Sequence, residues 1–189
     1  MYDRRVLFAS PSLAFVLTFV LTGGAPAPAI AQPAPPRGLT FPREDPGACP
    51  FECCKYGRWV ASAAVTVRRE RLAGAVPAFS VAPGETVDAI TGVVVTTQPG
   101  RARVLAALTL DGLTLAAGEE VSVLRYAGEG AYLVWARGRA VEAESEEAGG
   151  HLRVLSTPRV VWWVQIRNAR GEVGWSDQPD RFTGRDGCG

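Results

Sequence analysis

The feature that most constrains this chain is a succession of short β-branched runs broken by glycine and proline. Residues 64–67 (AVTV), 86–90 (TVDAI), 93–96 (VVVT), 121–124 (VSVL), 132–135 (YLVW) and 160–166 (VVWWVQI) are examples. β-Branched and aromatic side chains fit a pleated, half-buried surface, and runs of this length between turn residues read as strands. Pro83-Gly84, Pro99-Gly100, Asp111-Gly112 and Arg170-Gly171 supply the turns. No window carries helical periodicity over three turns, although residues 101–110, rich in alanine and leucine, suit either state. Many short strands with frequent turns make a sandwich or a small barrel, so the fold class is all-β.

The amino end reads as a secretory signal over residues 1–31. Arg4 and Arg5 form its positive region, residues 13–21 its apolar stretch, and Ala29-Ile30-Ala31 its small-x-small cleavage site. The apolar stretch is shorter than the roughly 20 residues of a membrane span. A retained anchor is the alternative to cleavage. The expected location is therefore exported, periplasmic or extracellular, with no membrane association after cleavage. Residues 32–48, rich in proline and glycine, read as a linker without regular structure.

Removing the signal takes two arginines and one aspartate from 20 basic and 19 acidic residues, leaving 18 of each. A neutral mature chain argues against nucleic acid, whose binding rests on a basic surface that displaces counterions. It argues equally against a polybasic membrane-surface role.

Cys49, Cys53, Cys54 and Cys188 all lie in the mature part. An even count in an exported chain implies two disulphides. Bonding Cys53 to its neighbour Cys54 fits disulphide geometry poorly. Cys49 is expected to pair with one of the two and Cys188 with the other. The long bond then closes a loop of over a hundred residues, worth about 4–5 kcal/mol in the chain-entropy model. Cys49-x-x-x-Cys53-Cys54 lacks the paired C-x-x-C spacing of zinc sites, so no metal is expected. A cysteine nucleophile needs a base, and the one histidine, His151, follows Gly149-Gly150 in a loop about a hundred residues away. Glu142, Glu144, Glu146 and Glu147 lack the Asp-rich repeat of a calcium loop and read as a solvated loop. There is no phosphate loop, dinucleotide fingerprint or Gly-x-Ser-x-Gly elbow. The expectation is a non-enzyme with no cofactor.

Two stretches share a pattern. Residues 81–89 (VAPGETVDA) and 115–123 (LAAGEEVSV) each run from an apolar strand end through a glycine and a glutamate into an alternating strand. Two occurrences fall short of a solenoid but suit a pair of related barrels.

In the closing strand, alternation puts Val160, Trp162, Val164 and Ile166 on one face and Val161, Trp163, Gln165 and Arg167 on the other. The first face is wholly apolar and is expected to be core. Trp163, in the company of Gln165 and Arg167, is expected to look outward, where its ring and N–H suit recognition. The competing expectation is that Trp163 packs under residues 56–59.

Val65-Thr66-Val67-Arg68, the turn Pro83-Gly84-Glu85-Thr86-Val87, and the close Trp163-Val164-Gln165-Ile166-Arg167 with Gly171 and Gly174-Trp175 together resemble the bacterial Src-homology-3-like domain family. In that family these pieces span roughly sixty residues, whereas here about seventy extra residues separate Gly92 from Val161. The resemblance implies one small Src-homology-3-like barrel, residues 49–92 plus 161–189, interrupted by a second small β unit, residues 93–160. A single enlarged barrel or sandwich is the fallback. It further implies an aromatic groove that carries Trp163, with Trp175 as a groove or core residue; Tyr56 and Trp59 are further candidate ligand-binding residues. Peptidoglycan or a partner peptide is the implied ligand. The rival expectation is a structural component of an envelope complex with no free small ligand.

Overall fold

The computed structural model describes residues 38–188, and the signal expected over 1–31 lies outside them. The described residues form strands and two short 3₁₀ turns, with no α-helix. The chain runs through β1 Arg43–Pro46, β2 Gly57–Ala61, β3 Val65–Arg68, β4 Pro77–Val81 and β5 Thr86–Gln98. It continues as β6 Gly100–Val104, β7 Leu108–Leu110, β8 Leu113–Leu115, β9 Glu120–Gly128, β10 Ala131–Ala136, β11 Arg139–Glu144 and β12 Leu152–Ser156. It finishes with β13 Arg159–Arg167, β14 Val173–Ser176 and β15 Phe182–Thr183.

One sheet has the order β15-β2-β5-β13-β14-β3-β4, with β1 on the far half of β5. The second has the order β11-β10-β9-β6-β12, accompanied by the hairpin β7-β8. The antiparallel sheets curl into a half-barrel. All strands of the second sheet come from the chain between β5 and β13. Residues 101–110, ambiguous in sequence, supply β6 and β7.

The two sheets use one connectivity twice. Read from the last strand inward, β12-β6-β9-β10-β11 repeats β15-β2-β5-β13-β14. A hairpin, β3-β4 or β7-β8, precedes the glycine turn in each, and a 3₁₀ turn precedes each last strand: Pro179–Arg181 before β15, Glu146–Ala148 before β12. The glycine turns match bond for bond. Gly84 N–H donates to the Ala61 carbonyl at 2.8 Å, and Ala61 N–H donates to the Glu85 carbonyl at 2.9 Å. Gly118 N–H donates to the Val104 carbonyl at 2.7 Å, and Val104 N–H to the Glu119 carbonyl at 2.9 Å. Each glutamate folds its carboxylate back onto a free turn amide, Glu85 on Ala82 at 2.7 Å and Glu119 on Ala116 at 3.0 Å. Gly84 and Gly118 sit at φ +83° and +82°, the left-handed region where a side chain is strained.

Each sheet has its own core. Trp59, Val67, Val81, Val94, Trp162, Val164, Ile166 and Phe182 pack in the first; Val104, Leu115, Val123, Val134 and Leu152 pack in the second. Burying each large apolar side chain contributes about 1.5–3 kcal/mol. The sheets meet where the buried Thr96 hydroxyl donates to the Leu124 carbonyl at 2.8 Å. Beside it, Arg125 approaches Asp45 of β1 at 3.9 Å, and Arg43 lies over the Trp135 ring at 5.9 Å.

Several expectations need correction. Residues 43–46, taken as linker, form β1, pairing Arg43 with Thr96 and Pro46 with Val93. Proline is tolerated at the end of an edge strand, where no ladder amide is lost. Glu142 and Glu144, taken as loop, lie on β11. Val160 is 36% exposed rather than core, and a register shift beside Arg159 marks the irregular start of β13.

Candidate functional site

The aromatic closing strand is covered on both faces. Trp162 and Trp163 are each 6% exposed, yet they belong to separate clusters. Trp163 pairs across to Val93, and Val161 to Val95. These four, with the half-buried Trp175, make a small satellite core on the face opposite the main one. The Arg71 guanidinium lies over the Trp175 ring at 5.3 Å and reaches Glu44 of β1 at 2.8 Å. The outward-looking Trp163 is therefore corrected. On that face Arg71 of the residue 69–76 connection, held to Glu44 of β1, covers Trp175, an arrival that no alternation rule foresees.

The segment expected to cover Trp163 covers Trp162 instead. Tyr56 and Trp59 lie 6.2 and 5.8 Å from the Trp162 ring. Trp59 is wholly buried and donates its indole N–H to the Lys55 carbonyl at 3.0 Å. Tyr56 is half-buried, and that burial pushes its hydroxyl pKa up from the ordinary 10.0. The four residues expected to share a groove thus split into two pairs on opposite faces of β13.

The open aromatic feature lies at the rim of the Trp162 face. Phe51 meets Trp162 edge to face at 5.6 Å, and a cleft of about 400 Å³ opens beside them. Pro50, Val160, the buried Pro179 and Arg185 line it, with Asp177 and Asp180 at its edge. Arg185 spans the rim, stacked on Phe51 at 5.1 Å and paired with Asp180 at 3.2 Å. Asp177 is half-buried and has no ion pair among the described residues. Aromatic, aliphatic and proline walls with charged groups at the rim are what an orienting binding cleft offers.

Disulphides hold these walls. Cys49 is bonded to Cys54, with Phe51 on the ring they close, and Cys53 is bonded to Cys188, 135 residues away. The tail is stitched back along its length: Lys55 N–H donates to the Arg185 carbonyl at 2.9 Å and Gly187 N–H to the Cys53 carbonyl at 2.8 Å. Both groups that frame the cleft mouth, Phe51 and Arg185, ride on covalently tied segments. With all four cysteines oxidised, none is a thiolate ligand or nucleophile in this state. His151 stands exposed just before β12.

Phe51, Pro179 and Arg185 were not singled out from the sequence. The signal that points to Phe51 is its place between paired cysteines; Arg185 had none.

No family model, curated protein or solved structure matches this chain. The fold and the disulphides define an all-β, half-barrel protein of a kind that folds outside the reducing cytosol. Among the described residues no helix is long and apolar enough to cross a membrane.

Proposed function

We propose that this chain is an exported, non-catalytic binding module that takes a peptide segment in the Phe51–Trp162–Pro179 cleft. The observation that carries this reading is the pairing of aromatic and proline cleft walls with a half-buried carboxylate at the edge, Asp177, that has no ion pair among the described residues. Such a cleft suits an apolar residue followed by an ammonium or guanidinium group, the first filling the cleft and the second meeting Asp177 and Asp180. The Src-homology-3-like resemblance of the sequence supports cell-wall peptides as the source of the ligand.

Co-sedimentation with purified cell-wall sacculi tests this. Wild type is expected in the pellet and Phe51→Ala in the supernatant, with an unchanged far-ultraviolet spectrum.

A second reading is an assembly part of an envelope complex. It is favoured by the apolar tip of the 69–76 connection, where Leu72 and Val76 are 61% and 66% exposed. Wild type that stays in the supernatant with sacculi, but co-purifies with envelope proteins until Leu72 and Val76 become serine, selects it.

A further inference from the structure

The repeated connectivity makes each sheet a control for the other. On β13 the outward position opposite Asp88 is Arg167, and the two form a surface ion pair. On β10 the matching position, opposite Ser122, is Trp135. The fold thus works with a solvated charge pair at this place, and a half-exposed tryptophan there is not a demand of the sheet. Part of its ring meets β1 and its approach: Arg43 stacks on it, and Gly38 lies against it. The rest borders a cleft of about 450 Å³ formed with Glu119, Glu120, Ser122, Arg137 and Gly138.

The polar groups round this cleft are held in place. Arg137 grips Glu119 with two hydrogen bonds, 2.8 and 3.2 Å, and Glu120 accepts from Arg103 at 2.7 Å. These contacts hold both carboxyls below the ordinary carboxylate range, Glu119 through Arg137 and Glu120 through Arg103. Arg137 also occupies the left-handed region at φ +48°, ahead of Gly138. Asparagine, aspartate or glycine fits that hairpin position with less strain. Among the described residues the Trp135 indole N–H and the Ser122 hydroxyl make no hydrogen bond, and both residues line the cleft.

We infer that the Trp135 cleft binds a neutral sugar. The part of the Trp135 ring that Arg43 and Gly38 leave uncovered can lie against the apolar face of a pyranose ring, and fixed planar carboxylates and guanidiniums, with the Ser122 hydroxyl, match its ring of hydroxyls. Because the carboxylates already hold arginine partners, the rim favours neither a strong anion nor a strong cation. The site is separate from the Phe51 cleft and does not depend on it.

The test is titration of the full mature chain, carrying ¹⁵N-labelled tryptophan, with chitotetraose, cellotetraose and maltotetraose. Each is raised to about 10 mM, which fills most of a millimolar site. At least one is expected to shift the Trp135 indole signal saturably while those of Trp59 and Trp162 stay put. Ser122→Val is expected to weaken that binding about tenfold without altering the unfolding midpoint. The inference is overturned if none of the three shifts the Trp135 signal, or if the binding persists undiminished in Trp135→Ala with the sheet intact.

Discussion

Phe51 makes a T-shaped contact with Trp162 from a six-residue disulphide ring, so the wall of the open cleft is a side chain whose segment is tied covalently rather than by a strand. Phe51→Ala should cost about 1–2 kcal/mol, since the ring is only partly buried. Peptide binding should fall at least about tenfold, or 1.4 kcal/mol. Calorimetric titration beside urea unfolding separates the two effects.

Trp163→Ala should behave the other way. Its cluster with Val93 and Val95 is closed, so the loss is one of stability, about 3–5 kcal/mol, with binding by the surviving folded fraction unchanged. A variant that stays as stable as wild type but no longer binds would show that this face is the groove after all.

The two disulphides should differ in worth. Replacing Cys53 and Cys188 by serine releases a loop spanning 135 residues, about 5 kcal/mol in the chain-entropy model. Replacing Cys49 and Cys54 releases one spanning 5, about 2 kcal/mol. The order of urea midpoints checks this.

Gly92→Ala should destabilise by about 1–3 kcal/mol. A β-carbon there falls against the Trp162 Nε1, the Tyr56 hydroxyl and the Trp163 carbonyl; the Trp162 ring is buried and the Trp163 carbonyl is backbone, so neither yields easily. An unchanged melting temperature would sink the claim that this missing side chain makes space for Trp162.

Tyr56 sets an alkaline limit. Burial raises its pKa in the folded state above the ordinary 10.0, so folding favours the neutral phenol. Its contribution is complete below pH 10 and is lost as pH rises from there through the folded value. Unfolding free energy should be level across neutral pH and decline above about pH 10, less steeply in Tyr56→Phe. Denaturant titrations across that range measure the difference.

The all-β class was legible because alternating β-branched runs and glycine turns carry strand geometry locally. The repeated turn was legible too: the Gly-Glu pair in residues 81–89 and 115–123 builds the same set of hydrogen bonds at Ala61 and Val104. Strand β1 was not, because a run of three charged residues between Pro42 and Pro46 becomes a strand only when β5 stands beside it. Glu142 and Glu144 likewise became strand residues through β10 rather than through their own propensity.

By itself, the sequence determined that Trp162 and Trp163 point to opposite sides, since backbone pleating guarantees it. It also pointed to a bond from Cys188 to one of the adjacent pair Cys53 and Cys54, and the structure has it as Cys53–Cys188. Only the tertiary structure decided that Trp163 is sealed and that Phe51 and Arg185 frame the opening. What stands across from each face of a strand is supplied by segments remote in the chain, here the 69–76 connection, the Phe51 segment and the tail, and no local pattern encodes their arrival.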